Sequence, residues 1–214
     1  MSLIDRILAI IAPHDCLGCG NEGKLLCFEC LEGLPEVAPK RLQSPYLTEV
    51  RSATPYRGVA KDLVWKLKSS GAQEAARIMA TCMLKYISKS KNSLIVPVPT
   101  ATTRVRQRGY DQARLLAREL SKQSKLPCLN CLIRTGQAHQ VGAGREQRLS
   151  QLTSAFRLKS PLLINNAHII LVDDVVTTGA TMETVAKLLI QAGASKIEAI
   201  TFAQPQMRIK NNTI

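Results

Sequence analysis

The segment Ile169-Ile170-Leu171-Val172-Asp173-Asp174-Val175-Val176-Thr177-Thr178-Gly179-Ala180-Thr181 carries the densest chemistry in this chain. Four apolar residues build a strand, two carboxylates emerge where that strand ends, and a Thr/Gly turn runs into a helix. Backbone N–H groups at a helix N-terminus, together with the helix dipole, make a phosphate cradle. Thr177, Thr178 and Thr181 add hydroxyl donors, and Gly179 lets the backbone approach closely. Two adjacent carboxylates beside a phosphate site suit sugar hydroxyls or a Mg²⁺-bound sugar phosphate. An isolated Asp-Asp reads equally well as a structural helix cap, so the specificity lies in the whole run.

A second chemical segment follows Val96-Pro97-Val98-Pro99. It reads Thr100-Ala101-Thr102-Thr103-Arg104-Val105-Arg106-Gln107-Arg108-Gly109, with Arg at every second position just before a glycine. Arg forks pair bidentately with phosphate oxygens, so a loop containing Pro99, Thr100, Arg106, Arg108 and Gly109 suits a pyrophosphate. Arg114 and Arg118 extend the charge along one face of the next helix. The alternative is a solvated basic surface.

The third segment is the pair of C-x2-C turns, Cys16-Leu17-Gly18-Cys19 and Cys27-Phe28-Glu29-Cys30. Two thiolates three positions apart reach one tetrahedral ion, and a second pair completes a structural Zn²⁺ site. A closed four-cysteine site leaves no open position for catalysis. Free thiols or a redox pair are the alternatives. Cys128-Leu129-Asn130-Cys131 has no partner pair and reads as packing, as does Cys82. His14 precedes the knuckle as a possible substitute ligand, and His168 opens a buried strand as a structural residue. His139, Arg145 and Arg148 flank Gly142 and Gly144 in a stretch, residues 136–148, that suits a closing lid with a phosphate contact.

The acidic run resembles the 5-phosphoribosyl-1-pyrophosphate (PRPP) signature of type I phosphoribosyltransferases, over about residues 90–203. The resemblance implies that Asp173 and Asp174 contact ribose hydroxyls, as possible catalytic groups, that Thr177, Thr178, Gly179, Ala180 and Thr181 hold the 5-phosphate, that Val175 and Val176 complete the PRPP-binding run, and that Mg²⁺ accompanies PRPP. Arg104 to Ala113, Arg134-Thr135 with Gln140, Arg148 with Ala155-Phe156, Trp65-Lys66-Leu67-Lys68 and the cysteine module together look like the ComF-type competence and DNA-utilisation family. That resemblance implies a zinc module fused to a phosphoribosyltransferase-like domain. It also implies a role with incoming single-stranded DNA in natural transformation, beside a DNA-translocating helicase and the uptake machinery.

These segments need a frame to position them. Apolar strands at Ser93–Val98, Ala167–Val172 and Lys196–Phe202 alternate with helices marked by Val59 to Leu67, Ala72 to Ile87, Gly109 to Lys122 and Met182 to Ala192. Such alternation predicts an α/β fold, a parallel sheet flanked by helices, which binds ligands at the carboxyl ends of its strands. Residues 3–11 read as a short helix, residues 13–33 as irregular, and the prolines of 34–48 as a connector. The expected division is a module over 1–48 and the α/β domain over 49–214.

The chain has 214 residues, 45% of them hydrophobic, which excludes a disordered composition. Lys and Arg number 29 against 16 Asp and Glu, a formal charge of +13 that attracts polyanions. Aromatics are only 4%, so no large stacking platform exists. No apolar run reaches the ~18 residues of a membrane span, and the first residues do not read as a secretory leader, so a cytoplasmic protein is expected. The leading functional expectation is a DNA-uptake accessory that binds PRPP and single-stranded DNA, the latter through Arg104, Arg106, Arg108, Arg114, Arg118, Lys66 and Lys68. An active phosphoribosyltransferase and a PRPP-responsive regulator are the alternatives.

Overall fold

The computed structural model describes residues 15–69, 72–135, 155–159 and 161–205. Its main sheet has five strands: β1 (Lys40–Arg41), β2 (Glu49–Pro55), β3 (Ser93–Pro97), β6 (His168–Val175) and β7 (Lys196–Gln204). Their order is β1-β2-β7-β6-β3, and every pairing except β1 with β2 is parallel. A separate antiparallel hairpin joins β4 (Leu132–Arg134) and β5 (Phe156–Leu158). The helices are α1 (Phe28–Glu32), α2 (Val59–Leu67), α3 (Ala72–Met83), α4 (Thr102–Arg108), α5 (Gln112–Ser124) and α6 (Ala180–Gln191).

The sequence-based frame is present, with differences that matter for the site. The acidic pair lies inside β6, which runs to Val175, and does not follow the strand. Strand β2, unassigned from sequence, adds a parallel neighbour to β7. The helix expected from Gly109 to Lys122 is present from Gln112 to Ser124 as α5, and a further helix, α4, precedes it where a loop was expected. Gly109 takes φ +79° as the left-handed cap of α4. Asp111 then caps α5 by accepting from the N–H groups of Ala113 and Arg114 at 3.0 and 3.2 Å. The helix expected at residues 3–11 lies outside the described residues.

Strand β6 is covered on both faces, as a continuous apolar run in a parallel sheet demands. Side chains alternate between the faces of a strand. Ile170 and Val172 pack with Leu63 and Leu67 of α2, Met79 of α3 and Leu116 and Leu120 of α5. Ile169 and Leu171 pack with Val185 and Leu189 of α6, Phe156 of β5 and Ile164. Residues 173 and 174 inherit this alternation, which decides what each carboxylate meets.

Tyr110, in the turn between α4 and α5, donates its hydroxyl to the carbonyls of Leu67 at 2.7 Å and Ser69 at 3.2 Å, fastening the end of α2 to that turn. Replacing Tyr110→Phe removes both bonds and should cost about 1 kcal/mol of stability, read as a lower urea midpoint at unchanged slope. An unchanged midpoint would show that the two carbonyls are satisfied without the phenol.

Candidate functional site

The end of β6 and the start of α6 enclose a cavity of about 270 Å³, open to solvent, lined by Asp173, Val175, Val176, Thr177, Thr178, Gly179, Thr181 and Met182. It lies at the carboxyl end of the sheet, where parallel α/β folds bind ligands. Seven of the nine residues expected to hold a ribose phosphate therefore meet at one surface. Thr177 and Thr178 are exposed, and the Thr178 hydroxyl accepts from the N–H of Ala180, the first residue of α6. Gly179 caps the helix at φ +90°, and a Cβ there would lie 2.6 Å from Cδ2 of Leu42. The left-handed backbone favours glycine here, and any side chain would also have to displace the end of Leu42.

The two carboxylates diverge. Asp173 follows Ile169 and Leu171 toward α6 and the cavity. Asp174 follows Ile170 and Val172 toward α2, where its Oδ2 lies 2.7 Å from Nζ of Lys68. The ammonium approaches outside hydrogen-bond geometry, so the contact is an ion pair. Each aspartate also accepts the backbone N–H of the next residue at 2.8 Å. Crowding by protein atoms, and then the negative Asp174 beside it, push the Asp173 carboxyl well above the usual carboxylate range. Lys68, expected from sequence at a DNA surface, is committed to Asp174.

The basic segment forms helix α4 where a loop was expected. In a helix, positions four apart share a face and positions two apart do not. Arg104 and Arg108 therefore align while Arg106 points away, and the three do not form a single edge. Arg104 and Arg106 are exposed; Arg108 is partly buried, with Nη1 lacking a hydrogen-bond partner among the described residues. Pro99 is buried, Gly109 is exposed, and the Thr100 hydroxyl donates to Asp111 at 3.0 Å. Arg114 lies 3.7 Å from Asp111, Arg118 is exposed farther along α5, and Lys66 is partly exposed on α2.

Arg134 on β4 belongs to this end of the molecule, and sequence reasoning did not include it among the site residues. Its guanidinium lies 5.3 Å from the ring centre of Phe156, and its buried Nε has no hydrogen-bond partner among the described residues. Burial lowers its pKa, the like charge of Arg104 adds to this, and Asp173 opposes it. The signal available in sequence was one Arg before a Gly-rich stretch, which says nothing about proximity to Asp173. His14, His139, Gln140, Arg145, Arg148 and the expected lid lie outside the described residues.

The larger depression, about 530 Å³, sits at the opposite end of the sheet, beside the first residues of β2 and β7. Its charges are matched internally: Arg51 meets Glu49 at 2.9 Å and Lys196 meets Glu198 at 2.6 Å. It offers an anion no surplus positive charge. His168, nearby, is buried with Nδ1 3.1 Å from the hydroxyls of Ser90 and Ser93, a structural setting.

The second centre is the cysteine knuckle. The Sγ atoms of Cys16, Cys19, Cys27 and Cys30 all lie within 4.8 Å of one another. Tetrahedral bonds of ~2.3 Å place sulfurs ~3.8 Å apart, and Cys19 and Cys27 are separated by 3.8 Å. The donor set fits a metal ion, consistent with structural zinc. Backbone N–H groups of Cys19 and Cys27 bring the Cys16 thiol down to about 6. Its neighbours push Cys30 up to about 12, led by hydrogen bonding with Cys27. The crowded sulfurs thus resist ionising together, and a cation between them would offset that repulsion. Gly18 has no room for a side chain, because a Cβ would lie 2.5 Å from Sγ of Cys30. Cys128 and Cys131 stand apart from this cluster; burial raises both thiols, Cys131 to about 11. Cys82 is likewise raised to about 11 by burial.

Comparison with known proteins matches residues 67–212 to the phosphoribosyl transferase domain. The DNA utilization protein YhgH of Salmonella typhimurium is 31% identical over 195 residues, covering 81% of this chain and 81% of that protein. The competence protein ComFC of Bacillus subtilis is 29% identical over 198 residues, covering 89% of this chain and 78% of that protein. Competence protein F of Haemophilus influenzae is 36% identical over 107 residues, covering 49% of this chain and 47% of that protein. Among solved structures, the allosteric regulatory enzyme of purine biosynthesis overlays at TM-score 0.42 and 16% identity; the overlay covers 59% of this chain but only 25% of that one.

The raised Asp173 carboxyl has a consequence for stability. Between the unfolded value near 4 and its higher folded value, the folded chain binds more protons than the unfolded one. Stability from this group is present below the unfolded value and is lost as pH rises through the folded one. Asp173→Asn should therefore be more stable than the parent at pH 7, and its advantage in Tm should grow as pH rises from 4. A Tm difference that stays flat with pH, or a less stable variant at pH 7, would overturn the assignment.

Proposed function

The chain belongs to the phosphoribosyl transferase domain family, and from that premise we propose that it is a DNA-uptake accessory protein that binds PRPP and single-stranded DNA. The names of its relatives, DNA utilization protein and competence protein, support the uptake role. The observation that carries PRPP binding is Asp173 facing the Thr177–Met182 cavity at the carboxyl end of β6. In this reading the hydroxyls of Thr177, Thr178 and Thr181 and the first-turn N–H groups of α6 hold the 5-phosphate. Asp173 receives the ribose hydroxyls. Asp174, neutralised by Lys68, holds the strand end in place and leaves Asp173 as the carboxylate open to ligand. Arg104, Arg108 and Arg134 supply positive charge for the diphosphate, whose remaining charge Mg²⁺ would offset when bound with PRPP. Structural zinc on Cys16, Cys19, Cys27 and Cys30 holds the knuckle closed. Reduced thiolates of this kind fit a cytoplasmic setting. Among the described residues no helix is long and apolar enough to cross a membrane.

The test is titration calorimetry of PRPP with Mg²⁺ against the parent and the double variant Asp173→Asn/Asp174→Asn, followed by pyrophosphate release with a pool of nucleobases. Binding to the parent, weakened at least tenfold in the double variant, is the expected result; no heat with the parent removes the PRPP reading. Base-dependent release that the double variant loses would make the protein a transferase.

For the knuckle, the purified chain should release one equivalent of zinc on thiol modification, with a fall in Tm, because Cys16, Leu25 and Leu26 are buried in the same apolar cluster as α2 and α3. Cys16→Ser should show the same fall. Full Tm without metal would count against a structural ion.

A further inference from the structure

Helix α2 buries Ala60, Leu63, Val64 and Leu67 and leaves Trp65 63% exposed. Trp65 is the only tryptophan of the chain. A single exposed indole is ordinary on a protein surface; what distinguishes Trp65 is an open π-face set among ammonium groups. Its surroundings are cationic. Nζ of Lys66 lies 5.9 Å from the ring centre, and Lys61, one turn earlier, is exposed. Asp62 is the acidic residue of the helix.

The helix is not isolated from the basic surface. Its C-terminal end is fastened by the Tyr110 hydroxyl to the turn after α4, the helix that carries Arg104, Arg106 and Arg108. One residue beyond the helix, Lys68 is fixed on Asp174. An aromatic face and several cations are thereby set on rigid, connected elements.

Resting on the reading that the protein handles single-stranded DNA, we propose that Trp65 stacks an unpaired base while Lys61 and Lys66 take the adjoining phosphates. Unpaired bases offer their π-faces to an aromatic side chain, and such stacking is tolerant of sequence. A protein partner is the lesser fit: protein interfaces centre on contiguous apolar side chains, and on α2 Trp65 is the sole large hydrophobic residue that is exposed. A low aromatic content allows no extended platform, and a single stacking contact needs none.

The lone tryptophan makes intrinsic fluorescence a reporter of this position. Oligo-dT should quench it, while an abasic oligonucleotide with the same number of phosphates should not. By anisotropy of labelled oligo-dT, Trp65→Ala should bind about tenfold more weakly, and Trp65→Phe should retain most of the affinity. Both variants should keep the parental Tm, since the ring is exposed. For the abasic strand, Trp65→Ala should equal the parent. Binding of oligo-dT without quenching, and with Trp65→Ala unaffected, overturns the stacking role and leaves the DNA-handling reading standing. Equal losses on oligo-dT and on the abasic strand also overturn it, because the indole would then be acting through the fold. If Trp65→Ala binds DNA normally but loses self-association, the ring serves a protein contact and the proposal fails. If the parent binds no oligonucleotide at all, the DNA-handling reading fails and takes this one with it.

Discussion

Asp173 and Asp174 occupy adjacent positions on a strand whose preceding residues, His168 to Val172, are all buried. Ionised carboxylates placed side by side among apolar neighbours repel each other and lose hydration. The alternation of a strand separates them, turning one toward α6 and the other toward α2. Lys68 then neutralises the inner one at 2.7 Å. What remains is a single raised carboxylate, Asp173, at the rim of the cavity between β6 and α6. The uncompensated group and the cavity are on the same side of the sheet, so the unfavourable electrostatics of Asp173 are concentrated at an open, solvent-facing surface.

The parts of this arrangement that were legible in the sequence are the local ones. The run from Ile169 to Thr181 announces strand, acids, turn and helix because all of its signals lie within thirteen consecutive residues. The two C-x2-C turns are legible for the same reason. What was not legible depends on contacts far apart in the chain. Nothing in Trp65-Lys66-Leu67-Lys68 says that its last lysine meets Asp174. Strand β2 is obscure because Glu49, Arg51, Ser52 and Thr54 dilute its apolar pattern, and it is fixed by pairing with β7 about 150 residues later. Ser52 shows the cost of guessing from residue type alone: it is buried and bonded to Thr201 at 2.7 Å. The Arg-rich segment misled in a different way. Alternation at every second residue suggests an extended edge, but the segment folds as one short helix stopped by Gly109, and the charge divides between two faces.

Helix α2 connects the two centres of the molecule. At its first residue, Val59 packs toward the knuckle; Cγ2 of Val59 would be 3.7 Å from a Cβ on Gly18. Along its length, Leu63 and Leu67 share an apolar cluster with Cys16, Leu25 and Leu26. Just past its end, Lys68 reaches Asp174. The knuckle is therefore part of the wall against which α2 is seated. The lysine's position depends on that seat, because an ion pair to a carboxylate on a rigid strand holds only if the helix bearing the ammonium is itself held. Opening of the four-cysteine cluster would loosen Leu25 and Leu26 from the core that supports α2. The effect would be felt at Asp174 through packing, with no contact between the cysteines and the acidic pair. The four thiolates and the two carboxylates, opposite in chain position and unrelated in chemistry, are thus coupled through nine residues of one helix.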